Sequence, residues 1–189
     1  VYLAEELRLS GMTAGSITSV TVRCAFVPGR NLDNFRISMA MHSGLTNLNS
    51  DWATVSTLFG PATVSAGELT EGSWKTFTLN TPLEWDGTSS VVVELSIDAS
   101  SGAAGGGLFF RDVQGLRGRS VFGFSDSDHG SYPFSTLQAR DTSGVMAIRL
   151  GSAKLYNGNF VYHANRAVDG DGDNKASAWV ARYQINTLH

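Results

Sequence analysis

The chain is short of charge, short of proline and nearly devoid of cysteine. Charged residues fill 16% of its 189 positions, against roughly 25% in an ordinary soluble domain. Its 14 basic residues are scattered and the net charge is −3. Nucleic-acid binding needs clustered Lys and Arg that displace counterions, so no nucleic-acid partner is expected. The densest basic group, "RDVQGLRGR" with Arg111, Arg117 and Arg119, reads better as a solvated hairpin than as an anion patch. A single cysteine, Cys24, leaves no internal disulfide. It lies in a strand-like run and is expected to be a small buried core residue. No apolar run approaches the roughly 18 residues of a membrane span, so membrane insertion is not expected. No signal-like segment opens the sequence, and a chain that begins at Val1 is expected to be a mature product or an excised segment.

Catalytic signatures are missing too. "GFSDS" is not G-x-S-x-G, and there is no H-E-x-x-H, P-loop or dinucleotide fingerprint. His42, His129, His163 and His189 stand singly. Glu84 and Glu94 could face each other across a sheet as a glycosidase pair does, but any β-protein offers such pairs. The expectation is a protein that is not an enzyme.

What the chain does have is 42% hydrophobic residues and 21 glycines. That is enough apolar material for a real core. Gly, Ser and Thr replace the missing charge, a balance that suits many short strands on tight turns and is common in secreted β-proteins. "VYLAEELRLSGM" opens with a strand-like dipeptide and a short helical turn that Gly11 ends. In "SITSVTVRCAFVP", Ile17, Val20, Val22, Cys24 and Phe26 mostly share one face. "NFRISMAMH" alternates Phe35, Ile37, Met39 and Met41 against Asn34, Arg36, Ser38 and Ala40. "WATVSTLFG" and "ATVSAGEL" are weaker candidates, and "WKTFTLN" is short. The continuous apolar start of "SVVVELSID" predicts a central strand. "GGLFFRD", "RSVFGF", "GVMAIRLG" and "KLYNGNFVYHA" follow, the last with an Asn-Gly hairpin turn. Roughly ten strands with frequent turn signals predict an all-β, jelly-roll-like antiparallel β-sandwich. The predicted division is a sandwich over 1–151 and a C-terminal extension over 152–189, a hairpin plus an acidic loop too short for its own core.

Two stretches carry a family resemblance. "YLAEELRLSGMTAGSITSVTV" supplies Tyr2, Glu6, Leu7, Gly11, Gly15, Ile17, Thr18 and Val20. "GSWKTFTLNTPLEWDGTSSVVVEL" supplies Gly72, Trp74, Phe77, Leu79, Pro82, Leu83, Trp85, Asp86, Gly87 and Ser89. Together they resemble the jelly-roll modules of large secreted, multidomain bacterial surface proteins. The resemblance spans about residues 1–150. It implies a non-catalytic accessory, adhesive or structural unit outside the cell or on its surface. Such modules have strand residues before the Tyr where this chain has only Val1. Either that first strand is cut short, or a neighbouring chain supplies pairing at Val1 and Tyr2. Independently of the family, Pro82 suits a strand edge, Asp86 can cap its own turn, Gly87 permits positive φ, and Trp85 can close one end of the core.

The stretch "AVDGDGDNKASAW" leaves three readings open: a calcium site, a solvated turn or a sugar-binding rim. Asp169, Asp171 and Asp173 match the oxygen-rich start of a calcium loop; Asn174 stands where that loop has Gly but could assist as a ligand. The position for a closing Glu holds Val180 instead. Ala167, Val168, Asp169, Gly170 and Trp179 are also similar to the opening of discoidin-like modules, whose Asp-Gly turn helps hold a structural calcium. Calcium is the one cofactor the sequence suggests. "SDSDHG", with Asp126, Asp128 and His129, reads as a polar turn before it reads as a metal site. Of Trp52, Trp74, Trp85 and Trp179, Trp52 in "LNSDWATV" is the expected exposed ring, with Trp179 beside the acidic loop as a second ligand-binding candidate.

Two functions follow as expectations. The first is a structural subunit that assembles with copies of itself or with neighbouring modules into a surface fibre or sheath. Its contacts would be Val1, Tyr2, Phe160, Tyr162, Val180 and Tyr183. The alternative is an accessory adhesion module that binds a glycan through exposed aromatics.

Overall fold

The computed structural model describes residues 1–48, 53–97, 118–122, 140–142, 145–152 and 159–162, with 122, 140–142 and 159–162 described by their backbone. A short helix, α1 (Ala4–Leu9), precedes β1 (Gly15–Arg23), β2 (Leu32–His42), β3 (Ser56–Val64), β4 (Trp74–Trp85) and β5 (Ser90–Ser96). Then come β6 (Ser120–Phe122), β7 (Arg140–Thr142), β8 (Ile148–Ser152) and β9 (Asn159–Tyr162). One sheet has the order β4-β1-β8-β9, a second β3-β2-β5, and β6 pairs with β7. All these pairings are antiparallel. The chain crosses between the two large sheets from β1 to β2, from β3 to β4 and again from β4 to β5. The result is an antiparallel β-sandwich.

Period-two alternation builds the core, and bulges edit it. In β1, Ile17, Val20 and Val22 are all fully buried. Ile17 and Val20 are three residues apart and would point to opposite faces of a regular strand. The register shift between Ile17 and Ser19 turns both inward. Phe35, Ile37 and Met39 of β2 are buried as their alternation predicts, but Met41 is exposed and Ser38 is fully buried. Phe35 of β2, Phe59 of β3 and Phe77 of β4 join the sheets. Their ring centroids lie 6.1 Å (Phe35–Phe59), 4.9 Å (Phe35–Phe77) and 5.3 Å (Phe59–Phe77) apart. Burying such a side chain contributes about 1.5–3 kcal/mol, with more from tilted ring contacts.

Three expectations change. The two weak candidates around Gly60 and Pro61 are one strand, β3, which runs through the proline. Pro61 lacks an N–H, and β3 tolerates it because it lies at the end of its described sheet. β5, expected to be central, has β2 on one side and, among the described residues, only the single bridge to Tyr2 on the other. Arg119, expected in a solvated hairpin, is buried. Asn159–Tyr162 pairs with β8 in the four-stranded sheet.

Candidate functional site

Val1 and Tyr2 are packed into their own chain. Tyr2 and Val91 exchange both backbone hydrogen bonds, at 2.8 and 2.9 Å, and Tyr2 Oη donates to the Met146 carbonyl at 2.7 Å. The Val1 amine donates to the Arg119 carbonyl, and Arg119 Nε donates back to the Val1 carbonyl at 3.0 Å. Glu6, on α1, receives both Arg119 terminal nitrogens and the backbone N–H of Leu3. Arg119 thus ties the start of the chain to the loop before β6. The pairing expected of a neighbouring chain at Tyr2 is made here by β5.

The Trp85 corner is structural. Trp85 is 2% exposed and its Nε1 donates to the Ser89 carbonyl at 2.8 Å. Asp86 Oδ1 accepts from the backbone of Thr88 and Ser89, and Oδ2 from the Ser89 hydroxyl at 2.6 Å. Those bonds, the Ser89 hydroxyl first, hold the Asp86 carboxyl down to about 2. Gly87 adopts φ 79°, where a side chain would be strained. Glu84 and Glu94 lie on different sheets, Glu84 accepting from the Ser16 hydroxyl, so they form no facing pair across one sheet.

A different group stands on the outer face of the four-stranded sheet. Inward-facing Val20, Val22, Phe77, Ile148 and Leu150 fill the core, so the residues alternating with them face outward. Thr76, Thr21 and Arg149 are opposite one another across β4, β1 and β8, and Arg23 is opposite Trp74 two residues further along. Because β1 lies between β8 and β4, the Arg149 side chain crosses β1 to bring its guanidinium 4.0 Å above the half-buried Trp74 ring. Thr21 and Thr76 hydroxyls share a 2.8 Å hydrogen bond on the same face. Arg23 Nε donates to the Gly72 carbonyl at 3.2 Å. Burial, and then the charge of Arg23, push the Arg149 guanidinium below its ordinary value. Arg149 Nε is buried and has no hydrogen-bond partner among the described residues. The sequence offered Trp74 as one aromatic among four. It gave no sign of Arg149, although both occupy outward positions in alternating strands.

Several predicted residues lie outside the described ones: Asp169, Asp171, Asp173 and Asn174 of the calcium reading, Trp52 and Trp179 of the ligand reading, and Val180 and Tyr183 of the assembly reading. Asp126, Asp128 and His129 do so as well. Phe160 and Tyr162 belong to β9, where their backbones pair opposite Leu150 and Ile148. Among the described residues no three His, Cys, Asp or Glu side chains gather as a metal site, and no helix is long and apolar enough to cross a membrane. Comparison with family models, with curated proteins and with solved structures finds no match for this chain.

Proposed function

We propose that the chain is a non-catalytic attachment module of an extracellular or cell-surface protein, with the outer face of its four-stranded sheet as a glycan-binding surface. The observation that carries the reading is the half-exposed Trp74 ring with the Arg149 guanidinium 4.0 Å from its centre. The sheet carries an aromatic ring, a planar cation and the exposed Thr76 side by side, with Thr21 buried beneath. That combination offers apolar contact and directed hydrogen bonds to a sugar. The test is a glycan array probed with the whole chain and with Trp74→Ala. Binding that falls at least tenfold in the variant supports the reading. An array on which the whole chain binds nothing overturns it.

A second reading, a subunit that assembles with its own copies into a fibre or sheath, has one observation in its favour. β9 lies at the end of its described sheet, and a sheet edge is a template for strand addition. Light scattering and negative-stain microscopy with calcium and with chelator test it, and a monomer in both removes it. Calcium at Asp169, Asp171, Asp173 and Asn174 enters the proposal on their donor set alone. Calorimetric titration of the whole chain with calcium tests it, and the absence of binding heat removes the metal.

A further inference from the structure

Among the described residues, β4 ends the four-stranded sheet and β3 ends the three-stranded one. Phe59 of β3 and Phe77 of β4 meet with ring centroids 5.3 Å apart, so the two end strands lie over one another and form one lateral edge of the sandwich. A bare strand edge is a template on which another chain can add a strand, and it stays single only where something opposes the addition. Two side chains of β4 do so here. In the register of β1 with β4, Ile17 is opposite Leu83 and Ser19 is opposite Thr78. Leu79, Asn80, Thr81 and Pro82 therefore stand against Thr18 alone, and β4 bulges. From that bulge Asn80 reaches the other sheet, where its Oδ1 accepts the Gly60 N–H at 3.1 Å. Gly60 and Pro61 lie where β3 slips register against β2, between Phe59 and Ala62. Pro61 is exposed and has no N–H. Over these two residues β3 has no free N–H to offer an incoming strand. Lys75 closes β4 in another way. It is opposite Val22 and two residues before Phe77, so it occupies the core-facing side of its strand. Its ammonium reaches Glu68, 2.7 Å away. A strand added to β4 would cover this half-buried charge with its own core-facing side chains, which costs free energy. In a chain with only 16% charged residues, a lysine on the inward side of an end strand stands where a charge most opposes pairing.

We propose that Asn80 and Lys75 guard the β3–β4 edge against strand addition, and that without them a second copy of this chain pairs there through β3. The guard is independent of the glycan and fibre readings above, because it uses neither Trp74 and Arg149 nor β9.

The experiment follows hydrogen exchange at the Gly60 amide, and light scattering, for the whole chain across a concentration series. The chains compared are the parent, Asn80→Ala, Lys75→Val and the double variant. In the parent, Gly60 exchange is expected not to change with concentration. In dilute Asn80→Ala it should be at least tenfold faster, because the N–H has lost its acceptor. In the double variant it should slow again as concentration rises, while the apparent mass at least doubles. Asn80→Asp, which keeps an acceptor oxygen at the same reach, should behave as the parent does. Should the Asn80→Ala chains fold poorly, Lys75→Val alone carries the test, and its apparent mass should rise with concentration more steeply than the parent's. A double variant whose Gly60 exchange and mass ignore concentration overturns the proposal, as does a Lys75→Val chain no more associated than the parent. Equal Gly60 exchange in the parent and in Asn80→Ala overturns the role of Asn80. A parent whose Gly60 exchange slows on concentration also overturns the proposal, because the edge is then already a docking surface. A parent that polymerises through β9 leaves Gly60 exchange unmoved, so the fibre reading stands or falls separately.

Discussion

Arg119 and Glu6 meet in a two-pronged ion pair, Nη1 to Oε1 at 3.0 Å and Nη2 to Oε2 at 2.5 Å, across 113 residues of sequence. The arginine side chain is 8% exposed and the glutamate 24%. Glu6 Oε2 also accepts the Leu3 N–H at 2.8 Å, satisfying one of the orphan donors at the start of α1. Removing Arg119 therefore strands a half-buried carboxylate and frees the Val1 carbonyl as well. Arg119→Ala is expected to lower stability by about 2–4 kcal/mol in urea melts, because breaking a buried pair from one side costs more than the pair contributes. The double variant Arg119→Met with Glu6→Gln should recover part of that loss. A single variant that melts like the parent would show the pair to be idle.

Asp86 makes a pH prediction. Its folded pKa of about 2 lies below the roughly 3.9 of an unfolded aspartate. The sign follows from linkage: the carboxylate's contribution is fully present above the unfolded value and disappears as pH falls through the folded one. Thermal melts of the parent and of Asp86→Asn should differ in favour of the parent at pH 5. That gap should narrow between about pH 4 and pH 2. A gap that is constant across this window would assign the variant's effect to lost geometry rather than lost charge.

The inter-sheet aromatic contacts give a third expectation. Phe77 is 5% exposed and touches both Phe35 and Phe59, so it is the ring through which β4 meets the opposite sheet. Phe77→Ala should cost about 3–5 kcal/mol, and Phe77→Leu clearly less, since the cavity left behind adds to the lost transfer term. Equal losses for both variants would mean that the ring contacts themselves, not the filled volume, hold the sheets together.

These residues differ in how visible they were beforehand. The inward faces of β1 and β2 were legible because alternation is local: Val20, Val22, Phe35, Ile37 and Met39 declare themselves within a few neighbours. The Asp86 cap was legible for the same reason, its partners being Thr88 and Ser89. Arg119 was not, because its burial is set by Glu6 and Val1, which no local pattern connects to it. Arg149 and Trp74 were hidden by strand order: only the placement of β1 between β8 and β4 brings them together. Met41 and Ser38 broke the β2 alternation through neighbours that the strand's own sequence does not contain.

Gly60 shows the same limit and yields the last prediction. It sits at φ 86° in the middle of β3, where a Cβ would lie 2.2 Å from the Phe35 carbonyl oxygen. That oxygen is backbone of the adjacent strand, so it cannot swing aside as a long side chain would. The register shifts of β2 against β3 between Phe35 and Ile37, and the strand bends there. Gly60→Ala therefore meets both a strained φ and a backbone clash, and the expected loss is roughly 2 kcal/mol or more. Gly67, in the turn after β3, is the control, because a Cβ there meets only the Ser65 hydroxyl at an ordinary 3.6 Å. Gly67→Ala should change the melting temperature little while Gly60→Ala lowers it by several degrees. Equal melting of the two variants would mean that β3 relaxes away from Phe35, and that the close approach at Gly60 is not needed to hold this edge of the sandwich.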